Sequence, residues 1–398
     1  MIYLDYAATT PVDERVFEAM RPYFCDIFAN PSSKHRCGRK AAAAVHEARE
    51  KVGKLVGARG KNVIFTGGAS EASNLAIKGI ADALECQSED GEDEEVFHFI
   101  TSEFEHKASL EAMKTLEERG HEVTFLRPNE DGFIDTKSVA AAIRPNTVMI
   151  SLIHVNNEIG TISPIDEIGA LAKEHGIVFH VDATQSFGKL PIDFDRDGID
   201  LLSLSAHKIY GPKGIGALVV RDGVPLKCQI SGGSQEGGIR AGTLNVPGIV
   251  GLGEAAQIAG DEMEQEWDRL EEMEQDFLQI VRDRIGGVHL QGSHRNKVPW
   301  ITNICFEGCD GGELRDALGK KEICVSRSSA CSKSNAASHV LAAIGCPEEL
   351  SGSAIRFSFG RRSNYERLEQ AVKALEEVVT KMRRPSYSSS SLLPASPA

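Results

Sequence analysis

The chain has 398 residues, 41% of them hydrophobic and 26% charged, with 44 Lys+Arg against 58 Asp+Glu and a formal charge of −14. That is a globular composition long enough to bury two cores. The acidic average argues against direct nucleic-acid or membrane binding, because neither polyanionic surface is attracted to such a field. The nine cysteines are scattered, odd in number and free of any CxxC pair, so neither a zinc site nor a disulfide framework is expected. No secretory leader precedes Asp5 and no stretch approaches the ~18 apolar residues of a membrane span, which makes a reducing cytoplasm the expected compartment. There a thiol is read as a small buried hydrophobe unless its neighbours mark it.

In chain order, strand-length apolar runs alternate with amphipathic helical stretches, the pattern of βαβ units on a mainly parallel sheet. The spacing predicts helices over Arg39–Val56, Glu71–Leu84, Lys107–Arg119 and Ile165–His175. Between and after them it predicts seven strands: Asn62–Thr66, Val96–Thr101, Glu122–Leu126, Thr147–Ile153, Ile177–Asp182, Leu201–Ser205 and Gly216–Arg221. A long acidic helix at about Gly251–Ile285 bridges into a different pattern, with strands near Trp300–Phe306 and Ala354–Ser358 and a last helix at Asn364–Met382. The expected organisation is α/β: a large domain over 13–258 with a seven-stranded sheet between helices, and a smaller α+β domain from 1–12 and 259–382. Six acidic side chains in Ser88–Glu95 read as a solvated loop, and the Ser/Pro-rich tail, 383–398, as disordered.

Three clusters carry chemistry. In Ser203-Leu-Ser-Ala-His-Lys-Ile-Tyr-Gly-Pro-Lys-Gly-Ile-Gly216 a strand ends at Ser205 and a His and a Lys stand at the turn. It is neither a Walker loop nor a dinucleotide fingerprint, and alone it reads as a turn with a solvated lysine. His180-Val-Asp-Ala-Thr-Gln185 ends a strand apolar enough to be central. Ligands of open α/β sheets sit outside the carboxyl ends of strands, so Asp182 and Gln185 would share a crevice with Ser205, His207 and Lys208. A carboxylate there needs a cationic partner such as a protonated pyridine nitrogen. Phe65-Thr-Gly-Gly-Ala-Ser-Glu-Ala-Ser-Asn74 runs a strand through glycines into a helix N-terminus, a phosphate seat with Thr66 and Ser70 hydroxyls as further donors. A lysine able to form a Schiff base, an acid for a pyridinium and a phosphate seat together read as a pyridoxal 5'-phosphate pocket.

The motifs Leu4-Asp-Tyr-Ala-Ala-Thr-Thr-Pro11, Asn30-Pro-Ser-Ser33, Glu105-His-Lys107, His154-Val-Asn-Asn-Glu-Ile-Gly160, His180–Gln185, Ser205–Gly214, Arg240-Ala-Gly-Thr243 and Ser329-Ala-Cys331 stand in an order and spacing that resembles the cysteine desulfurases, fold-type I pyridoxal phosphate enzymes of the class V aminotransferase group. The resemblance runs from Tyr3 to about Met382. It implies that Lys208 holds the cofactor covalently and moves the Cα proton of the substrate, L-cysteine. It implies that Asp182 keeps the ring nitrogen protonated, that Gln185 and Asn157 bond the phenolic oxygen side, and that His106 stacks on the ring and helps shuttle protons. Ala69, Ser70, Ser205 and His207 would bind the phosphate, with Thr243 reaching across from the other subunit of a homodimer. Arg356, an arginine in a strand-like run, and Asn157 would hold the substrate carboxylate.

Cys331 sets the implied reaction: it takes the substrate's sulfur as a persulfide, leaving L-alanine, and passes it to an acceptor protein for iron–sulfur cluster assembly, a thio-cofactor or nucleic-acid thiolation. It lies in Ser326-Arg-Ser-Ser-Ala-Cys-Ser-Lys-Ser-Asn335, a small polar run expected to be a mobile loop over about 325–336, where Arg327 and Lys333 favour the thiolate. The other eight cysteines, Cys324 included, are read as packing residues. The chain departs from the family's usual pattern at Arg327 and Ser328 and at Gly237, where an Arg is common, and lacks a recognisable docking segment for a scaffold partner. The alternatives are selenocysteine lyase or another class V enzyme, and more remotely a non-catalytic partner-binding module.

Overall fold

The computed structural model describes residues 1–86, 95–327 and 338–383. Residues 88–94 of the acidic stretch, the segment around Cys331 and the tail beyond Arg383 lie outside them. In chain order the elements are β1 Ile2–Tyr3, α1 Glu14–Met20, α2 Pro22–Cys25, α3 Arg36–Leu55, β2 Val63–Thr66, α4 Ala69–Glu85, β3 His98–Ser102, α5 Lys107–Glu118, β4 Glu122–Leu126, α6 Thr136–Ala142, β5 Thr147–Ile153, α7 Ile165–His175, β6 Val178–Asp182, β7 Leu201–Ser205 and β8 Gly216–Val220. Then come α8 Val246–Arg284, β9 Val288–Gln291, β10 Ile301–Phe306, α9 Gly311–Gly319, β11 Ile323–Cys324, α10 His339–Ala343, α11 Glu348–Ser351, β12 Ala354–Ser358 and α12 Tyr365–Arg383.

The large sheet has seven strands in the order β2-β8-β7-β6-β5-β3-β4. All pairings are parallel except the two made by β8, which runs against β2 and β7. Ten residues separate β7 from β8, too few for the helical crossover that a parallel neighbour needs. The carboxyl ends of β2, β3, β5, β6 and β7 therefore open on one edge, the place where such sheets bind ligands. Strands β3, β6, β7 and β8 are buried almost throughout, as fits a sheet covered on both faces.

Helix α3 faces the core through Ala41, Ala44, Val45, Ala48 and Val52, the 3–4 spacing of one stripe. It packs on α8 so closely that a Cβ at Gly253 would lie 2.6 Å from Ala48 Cα, so this glycine sets the approach. Helix α8 begins at Val246, earlier than the sequence pattern suggests, because Asn245 caps it by accepting from Gly248 N and a proline follows at the start. Its 39 residues contribute Ile249, Leu252 and Ala256 to the core around the large sheet. Leu270, Met273, Phe277 and Val281 on the same helix enter a second core with β10, β12 and α12. That second core surrounds the antiparallel sheet β12-β10-β9. The sequence reading missed β1, β9, α1, α2, α6, α9, α10 and α11, and α12 continues to Arg383, a residue assigned to the tail.

The packing role expected of eight cysteines holds for Cys305, Cys309 and Cys346, which join or pack against the two cores, and is corrected for the exposed ones. Only Cys305 is buried, Cys25, Cys37 and Cys86 are exposed, and Cys228, Cys309, Cys324 and Cys346 are half-buried. The exposed ones sit at helix ends, Cys25 closing α2, Cys37 in the first turn of α3 and Cys86 just past α4, where no apolar neighbour covers them. No helix among the described residues is long and apolar enough to cross a membrane.

Candidate active site

A cavity of about 570 Å³ lies at the carboxyl edge of the large sheet, within the size range of small-molecule sites. It gathers Ala69, Ser70, His106, Asn157, Asp182, Gln185, Ser205, His207, Lys208 and Arg356 from five loops of the large sheet and from β12. Thr243 is exposed and does not line it, and Cys331 lies outside the described residues. Thr66 is corrected as a ligand donor: its hydroxyl bonds Gly68 O at 3.0 Å and the residue is buried away from the cavity. The sequence reading assigned no role to Ala7, Ala8, Thr9 or Lys213, which also line the cavity; the motif at Leu4–Pro11 was the available signal.

At one end α4 starts after Gly68 with no side-chain cap on its first-turn N–H groups. Such a terminus presents free donors and the positive end of the helix dipole. A side chain could not replace Gly216 opposite it: a Cβ there would meet Leu204 O at 2.4 Å and Gly68 backbone atoms at 2.8 Å. His207 Nδ1 is engaged with Thr9 Oγ1 at 3.0 Å, leaving Nε2 for a ligand. Burial, with Lys208 and Lys213 nearby, lowers the pKa of His207 to about 4, so it serves as a neutral partner.

Lys208 Nζ donates to Ala7 O at 2.7 Å and Ala8 O at 2.9 Å. Asp182, ending β6, is 3% exposed and accepts from Thr184 N at 2.9 Å through Oδ1. Gln185 donates to Ala7 O at 2.8 Å while its Oε1 is buried without a partner; Asn157 Oδ1 and Arg356 Nε are likewise buried and unpartnered. Orphaned buried polar atoms are costly, and these three stand on residues lining one cavity, which marks them as ligand contacts. His106 caps α5 by accepting from Ala108 N at Nδ1, and burial holds its pKa below the ordinary value. Behind it Glu105 is wholly buried, bonded by Ser102 Oγ, and burial pushes its pKa up to about 8.

His180, between Asp182 and the strand interior, is satisfied by two hydroxyls, Ser151 Oγ and Ser203 Oγ, each at 2.8 Å. Burial lowers both His180 and His154 to about 4. Both fold neutral but protonate below about 6.5 when unfolded, so each stabilises the protein above that pH and loses its contribution as pH falls toward 4. Glu105 acts oppositely, losing stability as pH rises from about 4.5 to 8. Three histidines, His154, His180 and His207, against one carboxyl leave a net fall in stability as pH drops from about 6.5 to 4.5. Thermal melting should show Tm dropping across that interval, and His180→Asn, which removes one titrating group, should flatten the slope.

An amine at the carboxyl edge of a mostly parallel sheet, facing a carboxylate and a bare helix N-terminus, defines a pyridoxal-phosphate-dependent transferase. The residues present fit the cofactor: an amine (Lys208), a carboxylate (Asp182), two side-chain amides with unpartnered oxygens (Gln185 and Asn157) and an anion seat at the start of α4. The family described as Aminotransferase class-V matches residues 2–370. Cysteine desulfurase IscS of Dictyoglomus turgidum is 45% identical over 383 residues, 96% of this chain and 95% of the relative. Cysteine desulfurase IscS of Proteus mirabilis is 45% identical over 388 residues, 96% and 93% respectively. Among solved structures, one titled NifS-like protein superposes with a TM-score of 0.88 at 32% identity over 96% of this chain and 99% of the other. The structure titled SspA in complex with cysteine gives 0.80 at 42% over 90% and 99%. The chain belongs to the class-V aminotransferase family and, within it, to the cysteine desulfurases.

Proposed function

We infer that the chain is a pyridoxal-phosphate-dependent cysteine desulfurase that takes sulfur from L-cysteine and leaves L-alanine. The observation that carries this is one cavity holding Lys208, Asp182, His106 and a buried arginine whose Nε is unpartnered. When bound, the cofactor supplies a carbonyl that captures the substrate amine and a ring that accepts the electron density released at Cα. Lys208 Nζ takes the Cα proton and is held meanwhile by the Ala7 and Ala8 carbonyls. Asp182 holds a proton at the ring nitrogen. Gln185 and Asn157 orient the ring's oxygen side, and His106 covers its face. Ala69, Ser70, Ser205 and His207 bind the phosphate, and Arg356 binds the substrate carboxylate.

Cys331 takes the sulfur. Its Sγ bonds the substrate sulfur as the Cβ–S bond breaks, the electron pair stays on Cβ, and a proton there completes alanine, so cysteine and a thiol become alanine and a persulfide. Thr243, exposed and remote from its own cavity, supports a homodimer in which it completes the second copy's phosphate seat. The second core supports a small domain from 1–12 and 259–382 beside a large one over 13–258, with Val340, Leu341 and Ile344 packing back on the core of the large sheet. The persulfide passes to an acceptor protein in the cytoplasm, an iron–sulfur scaffold being the class the family resemblance favours.

The deciding measurement is product analysis of purified protein supplied with pyridoxal phosphate, L-cysteine and dithiothreitol. Equimolar alanine and sulfide are expected. Release from L-selenocysteine but not from L-cysteine would establish the lyase alternative, and no alanine from either would remove the enzymatic reading.

A further inference from the structure

Arg356 is 1% exposed, which is costly for a guanidinium unless its charge and donors are engaged. Nη1 donates to Asn157 O at 2.7 Å and Nη2 to Asp5 Oδ1 at 2.8 Å, while Nε is buried without a partner. Arg356 lines the cavity, and so do Ala7, Ala8 and Thr9, but Asp5 does not. Asp5 therefore grips the guanidinium from outside the ligand space. It is itself fixed: it forms a parallel bridge with Ser358, Leu4 N donates to Cys324 O, Ser358 N donates to Leu4 O, and Ala7 N donates to Ser358 Oγ.

We propose that Asp5 is a positioning residue for substrate recognition, holding the Arg356 fork so that its Nε–H and remaining Nη–H face the α-carboxylate of L-cysteine. A carboxylate is recognised by two parallel N–H donors in one plane, and such a pair binds only when the plane is set beforehand. Asn157 O and Asp5 Oδ1 grip two different nitrogens of the same planar group, which fixes that plane. The strap carrying Asp5 also carries the carbonyls that hold Lys208 Nζ, so carboxylate recognition and the catalytic amine are aligned by one segment. The Arg356 backbone pairs in both directions with Ser326, five residues before Cys331, which places the same node at the stem leading to the sulfur acceptor.

The inference rests on the desulfurase reading and is tested on the full-length holoenzyme. Asp5→Ala, lacking the acceptor, should raise KM for L-cysteine about tenfold, the size of one charge-assisted hydrogen bond, with kcat within about twofold. Asp5→Asn keeps an oxygen at the same place and should stay within about threefold of the wild-type KM. Spectral titration with cysteamine, which lacks the carboxylate, should be unchanged in both. An unchanged KM in Asp5→Ala, an equal loss for cysteine and cysteamine, or an Asn variant as impaired as Ala would overturn the proposal. Should Asp5→Ala not fold, Asp5→Ser, too short to reach Nη2, takes its place with the same outcomes. A wild type that releases no alanine defeats the functional reading instead, whereas a competent wild type matched by Asp5→Ala defeats this inference alone.

Discussion

Lys208→Ala is expected to abolish the visible absorbance of lysine-bound pyridoxal and to lower alanine release by more than about 1,000-fold, in line with the 10²–10⁴ that a positioned general base supplies plus the lost covalent tether. The local structure makes the effect specific. Lys208 ends a 3-10 turn just after β7, and its amine hangs from the Ala7 and Ala8 carbonyls. Removing it takes a cation from between two carbonyl dipoles without opening the core, so the variant should keep the wild-type far-UV spectrum. Cofactor added in excess should still occupy the phosphate seat, because α4 and His207 are untouched. A variant that retains both the absorbance band and turnover would show that another amine carries the cofactor.

How much of this was legible beforehand follows from where the determining interactions lie. The strands Thr147–Ile153 and Leu201–Ser205 were read to the residue because burial on both faces writes itself as a mostly apolar run. Strand β1 was not, since a two-residue ladder has no period and exists only because distant parts of the chain meet. Lys208, Asp182 and Gln185 could be assigned because strand ends announce the cavity edge. Asp5 stands in the motif Leu4–Pro11, but its role could not be assigned, since its partner is 351 positions away. Glu158 and Ser338 are alike in this respect, a buried carboxylate and the N-cap of α10 meeting at 2.5 Å across 180 residues. Cysteine burial failed as an expectation at Cys25, Cys37 and Cys86 because composition ranks residue types and does not say which helix end remains open.

Cys331→Ser should leave cofactor loading and its absorbance intact, eliminate the persulfide detectable by mass spectrometry, and lower alanine release from L-cysteine by more than about 100-fold, or about 3 kcal/mol of barrier. The separation of the two readouts follows from the site, since Lys208, Asp182, His106 and the start of α4 reach the cavity from the strand ends of the large sheet. Chain geometry supports the assignment. Cys331 lies four chain steps beyond Arg327, a covalent reach of about 14 Å at ~3.5 Å per residue. Arg327 is tied by its side chain to Gly352 O, and its neighbour Ser326 is paired with Arg356 on the cavity wall. On the far side, Ser338 is bonded to Glu158, next to the cavity residue Asn157, and His339 Nε2 donates to Glu105 O, next to His106. Both anchor points of the cysteine segment thus lie at the wall of the pocket that binds the substrate. None of Cys25, Cys37 and Cys86, though exposed, lines that cavity, so none can substitute. Undiminished alanine release from Cys331→Ser would mean that sulfur leaves without a protein persulfide, and selenocysteine would then be the substrate to examine.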